Sequence, residues 1–361
     1  DNEGFTPLYV ASQNGHEETV KYLVNSGAAL NQYANNGRTP IYAACNNGHK
    51  NIVEYLQLSG ADINCPDVNG RTPLQEACFM GYQKIVEHLV ESGVEMNRAD
   101  NDGFTPLYVA SQNGYEEIVK YLVNSGAALN HCANSSRTPF FAACFSGHKN
   151  IAEYLRLSGA DLNCADVNGY TPLLVACFMG RQETIEYLLE SGVDVNRADN
   201  DGFTPLYVVS QNGQEETVKY LVKSGASINL CINGGQTPLY AACQSGHKNI
   251  VKYLADSGAE VNCADNDGFT PLYVASQNGF EETVKCLVKF GADINRCTND
   301  GQTSLYVACQ SGHQKIVEYL VQSEVEINRG NNDGFTPLYV ASENGHEEIV
   351  KYLVSAGAEI N

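Results

Sequence analysis

The sequence predicts an all-α solenoid, and three observations carry the prediction. A phrase close to Asp-Gly-Phe-Thr-Pro-Leu-Tyr-Val-Ala-Ser-Gln-Asn-Gly, then Glu-Glu-x-Val-Lys-Tyr-Leu-Val-x-Ser-Gly-Ala, returns at a fixed period of 33 residues. Each copy holds two short stretches whose apolar residues recur at helical spacing. Counted from the Asp that opens a copy, ten of the eleven prolines fall at position 7, and 31 of the 33 glycines fall at positions 4, 15 or 27. A period of this size means that each unit buries its apolar face only by stacking on its neighbours. Ten copies fill residues 1–330, and an eleventh, 331–361, is two residues short. The expected organisation is a single array over 1–361, with repeats 1–33, 34–66, 67–99, 100–132, 133–165, 166–198, 199–231, 232–264, 265–297, 298–330 and 331–361.

The first copy shows why each element forms. Thr6 is a good N-cap, and Pro7 at the first helical position gives up an N–H that would be unpaired anyway. Leu8, Ala11 and Ser12 make an inward stripe, and Gly15 closes this short helix. Glu17 and Glu18 open a second helix, where carboxylates meet the positive end of the dipole. Val20, Leu23 and Val24 face the core, and Gly27 supplies a left-handed cap. The Asn-, Asp- and Gly-rich stretch that follows, up to the next Gly4 equivalent, is turn-forming.

The pattern D-x-x-G-x-T-P-L-x-x-A, then G-H, V, and L-V-x-x-G-A-x-x-N, resembles the ankyrin repeat over the whole chain. The resemblance implies a turn followed by two antiparallel helices, stacked into a curved solenoid with a concave groove. It implies a function too: most members bind proteins through the turn tips and the first-helix face that lines the groove. Position 9 departs from the family, which has His after Thr-Pro-Leu. Tyr stands there in eight copies, and Gln75, Phe141 and Leu174 stand in the other three. A tyrosine keeps a hydroxyl for hydrogen bonding, so altered packing within the same fold is expected.

Composition narrows the function classes. The net charge of -20 opposes nucleic-acid binding, which needs a basic stripe against phosphates, and leans towards a neutral or basic partner. No apolar run approaches the roughly 18 residues that span a membrane. No signal-peptide pattern opens the chain, which begins inside a repeat and reads as a piece of a longer array. The thirteen cysteines are orderly, with six at position 12 of their copies, three at 32, three at 33, and Cys286 alone. Equivalent positions in adjacent units should lie about 8–10 Å apart, beyond the roughly 7 Å that a disulfide spans. They read as small hydrophobes in a reducing, cytoplasmic setting. No zinc spacing, catalytic triad, phosphate loop or dinucleotide motif is present, so no metal, cofactor or enzymatic chemistry is expected. Six of the eight histidines share position 16, a structural place at the start of the second helix.

Candidate binding residues are those that differ between copies on the expected groove side. Positions 13 and 14 are polar in most copies, as in Gln13-Asn14 and Gln112-Asn113. Repeat 3 has Phe79-Met80, repeat 5 has Phe145, and repeat 6 has Phe178-Met179, with Phe140-Phe141 and Tyr170 nearby. Aromatics and Met are enriched at binding surfaces, so a groove for an extended or helical peptide is expected over repeats 3–6. The competing expectation is that these side chains fold back onto neighbouring helices. Position 5 alternates between Phe, as in Phe104, and Arg38, Arg71 and Arg137, which can stack on a ring, clamp a carboxylate, or pack on the adjacent tip.

The expected function is a protein-interaction scaffold. A targeting or regulatory arm of a larger enzyme and a mechanical adaptor between cytoskeleton and membrane remain as alternatives. Repeat 11 keeps Ile349, Val350, Leu353 and Val354 with nothing to cover them, so a monomer with weak head-to-tail stacking is expected. Repeat 10 breaks two rules, with Ser304 for Pro and Glu324 for Gly, and repeat 5 carries Ser136 for the turn Gly.

Overall fold

The computed structural model describes residues 3–360. Among them lie 22 helices in eleven pairs, one pair per repeat. The chain divides into two compact units, one ending at Val193 and the other beginning at Asp194. The first holds six pairs, from Pro7–Gln13 to Gln182–Glu190. The second holds five, from Pro205–Gln211 to Glu347–Ser355. Inside each unit, first helices pack on first helices of adjacent repeats and second helices on second helices.

Each first helix starts as its sequence dictates. Thr6 Oγ1 accepts the Tyr9 amide at 3.1 Å, and the equivalent Thr caps every other first helix in the same way. The second helices begin without a side-chain cap, and in six of them two or one glutamates occupy the first turn. Leu8, Ala11 and Ser12 are buried as expected, and so are Val20 and its equivalents Val53 and Val86. The position-23 leucines Leu56, Leu89 and Leu122 are fully enclosed, whereas Val24 and its equivalents Val90 and Val123 stay half-buried.

The stack is tied by side chains that reach one repeat onwards or back. The position-31 Asn accepts the position-29 amide of the next repeat, as in Asn31 with Asp62 N at 2.9 Å and Asn295 with Glu326 N at 2.8 Å. The position-16 histidines bond backwards. Nε2 of His49, His148, His247, His313 and His346 lies 2.9–3.1 Å from the position-13 carbonyl oxygen of the preceding repeat. A carbonyl only accepts, so Nε2 carries the proton and the ring is a structural fastener. Each ring sits close against the glycine that closes the preceding first helix: a Cβ on Gly279 would stand 2.7 Å from His313 Cε1. Position 15 therefore needs glycine for its left-handed backbone and for this close approach.

Two expectations about the ends and the exceptions resolve here. In repeat 11, Ile349 and Leu353 are buried, because positions 19 and 23 point at their own first helix and the preceding repeat. Val350 is half-buried and Val354 is exposed as expected, and the other exposed large apolar residues of that repeat are Phe335, Tyr339 and Ile360. Ser136 and Glu324 adopt φ of 62° and 63°, the described non-glycine residues in the left-handed region.

Candidate functional site

The turn tips are built around the first residue of each repeat. Oδ1 of Asp67 accepts the amides of Asn69 and Arg71, and Oδ1 of Asp100 accepts those of Asp102 and Phe104, all at 2.9–3.0 Å. This Asx arrangement fixes the tip and leaves Oδ2 facing back towards the preceding repeat. The position-5 arginines meet it there. Arg137 reaches Asp166 Oδ2 through Nε and Nη2 at 3.2 and 3.0 Å, while Nε of Arg38 and Arg71 stands 3.7 Å from Oδ2 of Asp67 and Asp100. Arg38 also lies over the Tyr42 ring and Arg137 over the Phe141 ring, 4.8 and 5.3 Å from their centroids. Arg38 and Arg137 thus do both things their chemistry allows, towards their own chain: they face the next repeat's carboxylate and cover their own repeat's ring, while Arg71 faces its carboxylate alone. Phe104 plays the second part with Tyr108, stacked at 4.4 Å.

Where Tyr occupies position 9 and Asp follows in the next repeat, the hydroxyl reaches that Asp. Tyr42 and Tyr240 donate to Oδ2 of Asp67 and Asp265 at 3.4 and 3.2 Å. The single Tyr42 hydroxyl hydrogen is shared with Oε2 of Glu76, which at 2.8 Å is the stronger acceptor. Burial, with the Glu76 carboxylate next, pushes the Tyr42 hydroxyl far above its ordinary range, so it remains a donor at any pH the protein meets. Glu76 was missed in the sequence, although the signal was present: position 10 is Val or Ala in every other copy.

The apolar candidates divide. Phe79, Met80 and Phe178 are 47%, 38% and 59% exposed, at the C-terminal ends of helices Pro73–Met80 and Pro172–Phe178. Met179, Phe145 and Tyr170 are half-buried. The Phe145 carbonyl accepts Nε of Arg181 at 3.2 Å, Arg181 taking the place of the position-16 histidine, and the Tyr170 amide donates to Asp166 Oδ1 at 3.0 Å. Phe140 and Phe141 are enclosed completely and belong to the core, because positions 8 and 9 point between first helices. All ten candidates lie in the first unit. Three of them, Arg71, Phe79 and Phe104, converge on one small opening of about 80 Å³ between the first helices of repeats 3 and 4. Gln75, Glu76, Asp100 and Val109 also line it.

Among the described residues no three or more His, Cys, Asp or Glu side chains gather closely enough to hold a metal ion. No described helix is long and apolar enough to cross a membrane. Burial pushes the thiols of Cys45, Cys78, Cys144, Cys177, Cys243 and Cys309 well above their ordinary range, which leaves them poor nucleophiles.

A family model described as ankyrin repeats, three copies to a match, fits residues 1–67, 29–100, 92–166, 141–230, 228–297 and 282–361. These matches cover the chain from end to end, and the module they describe carries no catalytic chemistry of its own. A search of curated proteins finds no match.

Proposed function

The chain belongs to the ankyrin-repeat family, and from that premise we propose that it is a scaffold that docks a protein or peptide on the first-helix face and turn tips of its first unit. One observation carries this reading. Phe79 and Phe178 stand about half exposed at position 13, where Gln13, Gln112 and Gln211 serve in copies of the same fold. The repeats act as controls for one another: folding at this position is satisfied by a glutamine. Large rings left against water are unfavourable, and clustered ones mark contact surfaces. Met80 and Met179 beside them add adaptable apolar surface. Arg38, Arg71, Arg137, Phe104, Phe145 and Tyr170 frame the ridge; the arginines also hold the tips, so the partner would meet a pre-ordered surface.

A photoreactive benzoylphenylalanine placed at Phe79, at Phe178 or at the outward-facing Leu58 tests this in cell extract. Partners cross-linked at 79 and 178, absent at 58, and lost when Phe79, Met80, Phe178 and Met179 become Ser with helicity unchanged, support the ridge. Equal cross-linking from Leu58 overturns it.

The same reading includes a reducing, intracellular setting, supported by eight buried cysteines used as small core side chains and by the exposed thiols of Cys132 and Cys231. It includes weak head-to-tail stacking of copies. Tyr339 is 46% exposed where its equivalents are covered, and open space surrounds Gly345 where eight other position-15 glycines face a ring and Gly147 faces Arg181. Association that rises with concentration in sedimentation tests it, and strictly monomeric behaviour opposes it.

A further inference from the structure

The opening between repeats 3 and 4 has a specific origin. In the neighbouring repeats a position-9 ring fills the space between consecutive first helices: Tyr42 and Tyr108 are 0% and 4% exposed, and Phe141 is 1% exposed. Repeat 3 has Gln75 there. Its side chain turns back on its own helix, where Oε1 accepts the Thr72 amide at 2.8 Å and completes a capping box, while Nε2 donates to the Phe104 carbonyl. The Gln75 side chain is thus satisfied without filling the place of a ring, and about 80 Å³ is left open.

What surrounds that space is the equipment that elsewhere holds a tyrosine. Arg71 stands where Arg38 and Arg137 cover a ring, and no described ring lies under it. Its side chain is correspondingly the most exposed of the three, 42% against 31% and 35%. Asp100 is almost wholly enclosed, and its Oδ1 is saturated by two amides. Its Oδ2, 3.7 Å from Arg71 Nε, has the role of the Asp67 and Asp265 atoms that accept a tyrosine hydroxyl. Phe79, Phe104 and Val109 supply apolar walls.

We propose that this opening is a seat for a tyrosine side chain of the docked protein partner, its ring against Arg71 and its hydroxyl donated to Asp100 Oδ2. The charge pattern selects the occupant. Both carboxylates are already engaged, Glu76 by Tyr42 and Asp100 by two amides and Arg71, so a cation gains little and meets Arg71 as well. A carboxylate is opposed by Asp100 and Glu76, and a phenol suits both the guanidinium and the Asp100 oxygen, as Tyr42 does one repeat earlier. A phosphotyrosine is excluded by the two carboxylates. The proposal rests on the docking reading above and names the chemistry of one contact within it.

The test uses p-cresol, the tyrosine side chain alone, with toluene as the ring without a hydroxyl. Each is titrated into the full chain and followed by methyl and aromatic NMR shifts. Saturable shifts at Val109, Phe104 and Phe79 are expected, with p-cresol at least threefold tighter than toluene. Gln75→Tyr fills the seat from within and should remove saturable binding while the helices persist and stability rises. Asp100→Asn, which keeps Oδ1 for the two amides, should erase the preference for p-cresol. Shifts that survive Gln75→Tyr, or equal affinity for p-cresol and toluene in the unaltered chain, overturn the tyrosine seat. Neither result bears on the cross-linking at Phe79 and Phe178, so the two proposals fail separately.

Discussion

The hydroxyl of Tyr42 and the carboxylate of Glu76 meet at 2.8 Å, both enclosed, across the boundary between the second and third repeats. This pair has no equivalent in the other repeats, where position 10 is apolar. A hydrogen bond to a charged group contributes roughly 1.5–3 kcal/mol, and a buried carboxylate that loses its donor is costly. Tyr42→Phe is expected to destabilise the chain by about 2 kcal/mol, and by clearly less when Glu76 is Val. Urea denaturation of the two single variants and the double variant, fitted as a repeat array, measures the coupling; additive effects would show that the bond contributes nothing.

Repeat 10 should be the weak point of the second unit. Glu324 holds a left-handed backbone at φ 63°, and the buried Ser304 hydroxyl has no partner. Glu324→Gly relieves strain of about 1 kcal/mol. Ser304→Pro removes a hydroxyl whose isolation costs about 1–3 kcal/mol, at a helix start where the preceding Thr303 is already extended and suits a proline. Hydrogen exchange should show less protection in repeat 10 than in repeat 9. The double repair should raise the midpoint of unfolding; equal protection in both repeats refutes this ranking.

The thirteen thiols should react in two groups. Cys132 and Cys231 are exposed, whereas the six position-12 cysteines are buried with thiols pushed upwards by desolvation. At pH 8, timed alkylation followed by mass spectrometry should label Cys132 and Cys231 first and leave the position-12 residues unmodified until the helices open. Early labelling of Cys45 or Cys144 would mean that the first-helix stack breathes far more than its packing implies.

Alkaline pH should unfold the protein through its buried tyrosines. Desolvation, with Tyr306 and Asp300 nearby, pushes the Tyr273 hydroxyl up to about 12, and burial raises Tyr108 and Tyr207 as well. The free side chain ionises near 10. Below that pH both states hold the proton and the full stability is present. Between about 10 and 12 the unfolded chain loses its protons first, so stability falls as pH rises. Helicity should therefore collapse in this window while the phenolate absorbance of the enclosed tyrosines rises with it; phenolate signal from all tyrosines near pH 10 with helicity intact would contradict their burial.

The period of 33 residues, the Thr-Pro starts and the glycines at 4, 15 and 27 determined the helix pairs, because these are local backbone requirements that each repeat states for itself. The left-handed Ser136 and Glu324 were legible for the same reason. Exposure was not legible. Phe79 and Phe140 are both aromatic residues of a first helix, yet one faces water and the other is sealed, a difference set by position 8 pointing between helices and position 13 pointing past them. The partners of Arg38, Arg71 and Arg137 were hidden as well, because each lies 29 residues onward in the next repeat and only stacking brings them together. The seat beside Gln75 belongs wholly to the tertiary structure. The sequence shows a glutamine in place of a tyrosine; only the packed neighbours, which keep their spacing whether or not the ring is there, turn that substitution into a space with an arginine on one side and a carboxylate on the other.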